Sequence, residues 1–70
     1  MPDPTVIGAR LRALRGDRTI TRVSAETGLG QSAISNYENG SRVPRDEAKL
    51  ILAKYYGASV EAIFYAPEQH

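Results

Sequence analysis

Gly28-Leu29-Gly30-Gln31-Ser32-Ala33-Ile34-Ser35-Asn36-Tyr37-Glu38-Asn39-Gly40 is the stretch on which the reading of this chain turns. Ile34 and Tyr37 lie three apart and share one face of a helix. Gln31, Ser32, Ser35 and Asn36 fall on the opposite face. All four can both donate and accept hydrogen bonds. A helix with an apolar back and such a front suits a polar, patterned partner. The edge of a DNA base pair is one, because Gln or Asn can pair bidentately with adenine. The spacing predicts a helix over about 31–38, opened after Gly28 and Gly30 and stopped at Asn39-Gly40. Tyr37 reads as core, not as a base-stacking group.

Upstream, Met1–Pro4 reads as loose, with two prolines and no apolar anchor. Thr5 is the expected cap of a first helix to about Arg15. Ile7, Leu11 and Leu14 form its apolar stripe, with Arg10, Arg12 and Arg15 pointing elsewhere. Thr19 is the expected cap of a second helix to about Thr27. Ile20, Val23 and Thr27 mark its inner face, and Ser24 permits close approach of a neighbour. Gly28 is the expected left-handed stop. Downstream, Pro44 keeps residues 41–45 out of helix. A fourth helix is expected from about Asp46 to Tyr56, with Asp46 and Glu47 at its positive end. Leu50, Ala53, Ile51 and Tyr55 are its expected inward residues, and Gly57 ends it. Ser59 caps a short fifth helix carrying Val60, Ile63 and Phe64 on one face. No stretch alternates as a strand does. The expected fold is all-α, with one domain over residues 1–65 and a disordered tail over 66–70.

Composition removes several function classes. There is no Cys, and the one His is His70. A transition-metal site, a disulfide and a His-based triad are therefore not expected, and no Asp-rich calcium loop is present. No cofactor or small-molecule ligand is implied, and no apolar run is long enough to span a membrane. Met1-Pro2-Asp3-Pro4 lacks the start of a signal peptide, so a cytoplasmic location is expected. The net charge is only +1, but it is unevenly placed. Residues 1–45 carry seven Arg against four acidic residues, a balance of +3. Residues 46–70 carry two Lys against four acidic residues, a balance of −2. The positive part holds the polar helix, as a footprint for phosphates would.

At this point the chain resembles the phage repressor/Cro family, whose lambda-repressor-like domains carry a helix-turn-helix. Val23-Ser24, the turn glycine Gly28, Ile34 and Tyr37 stand at that motif's spacing. Tyr37-Glu38-Asn39-Gly40, Pro44, Ala53, Gly57 and Ser59-Val60-Glu61 continue the pattern, so the likeness runs from about Ile7 to Phe64. It implies a five-helix, sequence-specific regulator of transcription that binds double-stranded DNA and is not an enzyme. By the same resemblance, Gln31, Ser32, Ser35 and Asn36 match residues that reach base edges. Thr19, Asn39, Ser41 and Arg42 match phosphate contacts, and Arg45 is added through its charge and position. Arg15 matches an arginine that pairs with the residue now at Glu38. A homodimer is implied, with two recognition helices about 34 Å apart over a pseudo-palindrome. Ile63, Phe64 and Tyr65 are candidates for its contact, or equally for closing the monomer's core.

Three positions depart from the family's pattern. Ile20 stands where Gln is usual, Gly30 where Ser or Thr caps the recognition helix, and the link from Arg15 to Thr19 is about two residues short. The first two remove phosphate contacts; the third bears on whether Arg15 can reach Glu38. Other readings of the same residues are weaker. Gly28-x-Gly-x-x-Ala fits a dinucleotide-binding turn, but what precedes it reads as helix, not strand. Asn39-Gly40 as a hairpin turn fails because neither flank alternates. Asn39-Gly40-Ser41 is a glycosylation triplet that needs a secretory route. Two other functions remain as alternatives: an antitoxin-like or accessory protein whose main partner is a protein, and an enzyme working through Asp46 with Glu47, or Asp17.

Overall fold

The computed structural model describes residues 1–68. Its five helical elements are α1 (Pro4–Arg15), α2 (Ile20–Thr27), α3 (Gln31–Asn39), α4 (Asp46–Tyr56) and a short α5 (Glu61–Tyr65). The described residues contain no strand.

Local chemistry explains most boundaries. α1 begins at Pro4, two residues earlier than a cap at Thr5 would place it. Asp3 is its cap: Asp3 Oδ1 accepts the Thr5 N–H at 2.8 Å and the Thr5 hydroxyl at 2.7 Å. Pro4 then takes the first helical position, where its missing N–H costs nothing. Both Thr5 bonds favour the charged carboxylate, so the Asp3 pKa lies below its ordinary value, the hydroxyl bond contributing most. Thr19 caps α2, its Oγ1 accepting the Arg22 N–H at 3.0 Å. Gly28, Gly40 and Gly57 end α2, α3 and α4 in the left-handed conformation, which costs a residue without Cβ no steric energy. α5 is wound one residue wider than an α-helix, closed by the Ala66 N–H on the Glu61 carbonyl at 2.7 Å. Two residues before it, Ser59 Oγ accepts the Ala62 N–H at 3.0 Å. Of the tail expected over 66–70, residues 69 and 70 lie outside the described residues.

The core joins Ile7 and Leu11 of α1, Tyr37 of α3, Ala48, Leu52 and Ala53 of α4, and Ile63 and Phe64 of α5. Val23 and Ile34 are also buried. Leu50 is a correction: it is 64% exposed, while Leu52 is 1% exposed. At 100° per residue, Leu50 lies about 200° round from the inward Ala48, whereas Leu52 lies one turn above it. Lys49 is the other surprise, 7% exposed. Its stem packs inward while Nζ donates to the Tyr65 hydroxyl at 2.9 Å and lies 4.8 Å from that ring's centre. Arg10 also turns inward at its tip, donating to the carbonyls of Ala62 and Ile63 at 3.2 and 3.1 Å. It straps α1 to α5. Ile63 and Phe64, at 2% and 0% exposure, close the monomer's core and offer no dimer surface; Tyr65 alone of the three is exposed.

At Gly8, α1 runs close against the backbone of α3. A Cβ there would lie 2.3 Å from the Glu38 carbonyl oxygen and 2.7 Å from that of Tyr37. These are backbone atoms of α3 and cannot swing aside. Alanine is worth about 1 kcal/mol more than glycine inside a helix, but overpacking of this kind costs about 1–3 kcal/mol. Because the clash is with backbone atoms, the upper part of that range applies, and Gly8→Ala is expected to lower stability by up to about 2 kcal/mol, read as a reduced urea midpoint. A raised midpoint would show that α1 and α3 are not in backbone contact.

Candidate nucleic-acid interface

The face of α3 turned away from Ile34 and Tyr37 is open. Gln31, Ser32 and Ser35 are exposed, and Asn36 is half-buried. With Ile20 from the start of α2, these four line one shallow groove. Gly30 enters α3 in extended conformation and supplies no side-chain cap. The Thr21 hydroxyl reaches across from α2 to Gln31 Oε1 at 3.4 Å. Nothing in the sequence pattern points to that bracing contact, because Thr21 lies on a different helix from Gln31.

The two helices keep their relation through hydrogen bonds at the turn. Ser24 Oγ donates to the Leu29 carbonyl at 2.6 Å. Thr27 Oγ1 donates back to the Val23 carbonyl at 2.7 Å and accepts the Leu29 N–H at 3.2 Å. A small hydroxyl at residue 24 thus does more than admit a neighbour; it ties the turn.

The far end of α3 is fastened as firmly. The Asn36 carbonyl accepts the N–H groups of Gly40, Ser41 and Arg42, the last two at 3.0 and 3.2 Å. Asn39 Oδ1 accepts the Ser41 N–H at 2.9 Å, fixing an Asx turn. Exposed Asn39, Ser41 and Arg42 therefore emerge from a defined loop. The Arg42 guanidinium sits 5.9 Å from the ring centre of buried Tyr37, near the limit of a cation–π contact. Arg45 is exposed just before α4, and Thr19 is exposed before α2.

Behind α3, Arg15 and Glu38 make a bidentate pair, Nε to Oε2 at 2.7 Å and NH2 to Oε1 at 3.0 Å. The short link does not pull them apart, because it is itself bonded to the end of α1. Arg15 NH1 donates to the Arg18 carbonyl at 2.7 Å, and the Arg18 side chain donates to the carbonyls of Leu14 and Arg15 at 3.0 and 3.2 Å. The Glu38 bond raises the Arg15 pKa above its ordinary value. The side chains are 17% and 8% exposed, so each charge depends on the other for its solvation.

A family model described as a helix-turn-helix domain matches residues 6–63. The chain belongs to the helix-turn-helix domain family. No curated protein and no solved structure matched it. The family match spans most of the chain and both halves of the motif, α2 and α3. The helix-turn-helix domain is a DNA-binding one, of a family that is typically non-enzymatic. Among the described residues no group of His, Cys, Asp and Glu could hold a metal ion, and no helix is long and apolar enough to cross a membrane.

The first helix of the motif, α2, is also held from behind. Tyr55 of α4 donates its hydroxyl to Glu26 of α2, and Arg18 lies 5.2 Å from the ring centres of both Tyr55 and Tyr56. The Tyr55 bond, more than Arg22, lowers the Glu26 pKa. Burial raises the Tyr56 pKa. A carboxylate with a depressed folded pKa adds stability above its unfolded pKa and loses it as pH falls through the folded one. Tyr55→Phe should move the Glu26 titration upward toward the ordinary glutamate range by NMR; an unmoved midpoint would break the assignment.

Glu38→Ala leaves the Arg15 charge half-buried without its partner. It is expected to cost about 3 kcal/mol in chemical denaturation. A loss under about 1 kcal/mol, the size of a surface pair, would show that the pair does not fasten α1 to α3.

Proposed function

We propose that this helix-turn-helix protein is a repressor/Cro-type transcriptional regulator that reads duplex DNA by sequence. In this reading residues 1–65 form the binding unit and α3 enters the major groove. Gln31, Ser32, Ser35 and Asn36 meet base edges, while Thr19, Asn39, Ser41, Arg42 and Arg45 meet phosphates on either side. The observation that carries it is the open front of α3: four hydrogen-bonding side chains line one groove on a helix whose back is wholly engaged in the core. The Arg residues beside it supply the charge that phosphate binding requires. A homodimer over a pseudo-palindromic operator, in the cytoplasm, completes the proposal. With Ile63 and Phe64 inside the core, Tyr65 is what remains of the candidate dimer contact.

Selection of bound duplexes from a random pool tests this directly. The expected result is an enriched site with two related half-sites about one turn apart; no enrichment over the input pool would overturn it. On the enriched site, Gln31→Ala should cost about 1–3 kcal/mol and relax preference at one base pair, with little change on random DNA. Equal loss on both would remove Gln31 from base reading. Arg42→Ala should weaken binding to all sequences and reduce the salt slope by about one. An unchanged slope would take Arg42 off the phosphate contacts.

A further inference from the structure

Ile20 is the one large apolar side chain on an otherwise polar reading face. It opens α2, is half-buried, and is not among the half-buried apolar side chains that pack against the main core. It borders two neighbouring recesses. One holds Gln31, Ser32, Ser35 and Asn36. The other lies toward α1, where Ser35 meets Glu38 and Asn39. Ser35 is common to both, so Ile20 and Ser35 form the ridge between them. The Thr21 hydroxyl on Gln31 Oε1 fixes the neighbouring amide close to the same corner.

An isoleucine here cannot bond a phosphate or a base edge. Its side chain lines the groove, and the major groove offers an apolar partner of one kind: the C5-methyl of a pyrimidine, carried by thymine. We propose that Ile20 is a specificity-determining residue that selects a 5-methylated pyrimidine beside the base read by Gln31. The contact is to the methyl group, so thymine and 5-methylcytosine share it, and uracil and cytosine lack it. This rests on the proposed major-groove binding of α3 and adds a fifth reading position, on α2.

The test removes the methyl from the DNA and leaves the folded protein alone. In the duplex enriched by the full chain, each thymine is replaced in turn by deoxyuridine and affinity is measured by fluorescence anisotropy. One thymine per half-site is expected to weaken binding about three- to fivefold on losing its methyl, about the factor for one buried methyl-sized group. Cytosine at that position should weaken binding, and 5-methylcytosine should recover part of the loss. With Ile20→Ala the deoxyuridine penalty should vanish. Ile20→Gln, which keeps the side chain's length, should lose it too, so a folding defect in one variant does not decide the matter. Tight binding with no methyl-sensitive position, or a penalty that persists in both variants, would overturn the role of Ile20 and leave α3 as the reader. Failure to enrich any duplex would overturn the major-groove reading, and this inference with it.

Discussion

The absence of a side chain at residue 8 sets the distance between α1 and α3. Carbonyls of Tyr37 and Glu38 occupy the space a Cβ would need. The approach brings the backbone of α1 directly against the back of α3. From there Ile7 and Leu11 reach Tyr37 in one shared core. Arg15, two turns beyond Gly8, meets Glu38 from the same side. A helix clamped this way has one face committed and the other free. That division is what gives the front of α3 its use as a surface.

The clamp is apolar in the middle and polar at its ends, and the two parts act differently. Burial of Phe64, Ile7, Leu11, Ile34, Leu52 and Val23 stabilises the fold by about 1.5–3 kcal/mol per side chain. The hydrogen bonds at the turn, at the Asn36 carbonyl and between Arg15 and Glu38 add less net energy, since each replaces a bond to water. Their effect is on geometry. They oppose rotation of α3 about its axis, and rotation by one residue would turn Gln31, Ser32, Ser35 and Asn36 about 100° away from the groove they line. Thr21 on Gln31 extends that control to a side chain. Preorganisation of this kind lowers the entropy lost on binding.

Much of this was legible in the sequence, and the reason is local. Gly28, Gly40 and Gly57 each end a helix in a conformation that glycine alone takes freely, so α2, α3 and α4 could be bounded from spacing. The front of α3 could be read because Ile34 and Tyr37 fix its back. What escaped depends on contacts distant in the chain. Gly8 reads as a weak point in a helix until α3 is seen lying against it. Lys49 reads as surface until Tyr65 meets its ammonium group. Leu50 and Leu52 differ by 200° of helical phase, and propensity does not distinguish them. Asp3 outcompeted Thr5 as a cap because a carboxylate two residues earlier could hold both donors of Thr5. The Ile63–Phe64 pair was open between core and dimer contact, and both side chains are buried in the core that α5 shares with α1, α3 and α4.

The central claim is that the outward face of α3 meets DNA while its back stays locked. It is tested most directly by NMR titration of the isotope-labelled chain with its enriched duplex. The side-chain amides of Gln31 and Asn36 and the backbone amides of Ser32, Ser35 and Arg42 should shift most, while those of Leu50, Leu52 and Ile63 hold their positions. Shifts gathered around Leu50 and Tyr65, with Gln31 and Asn36 unmoved at saturation, would contradict it.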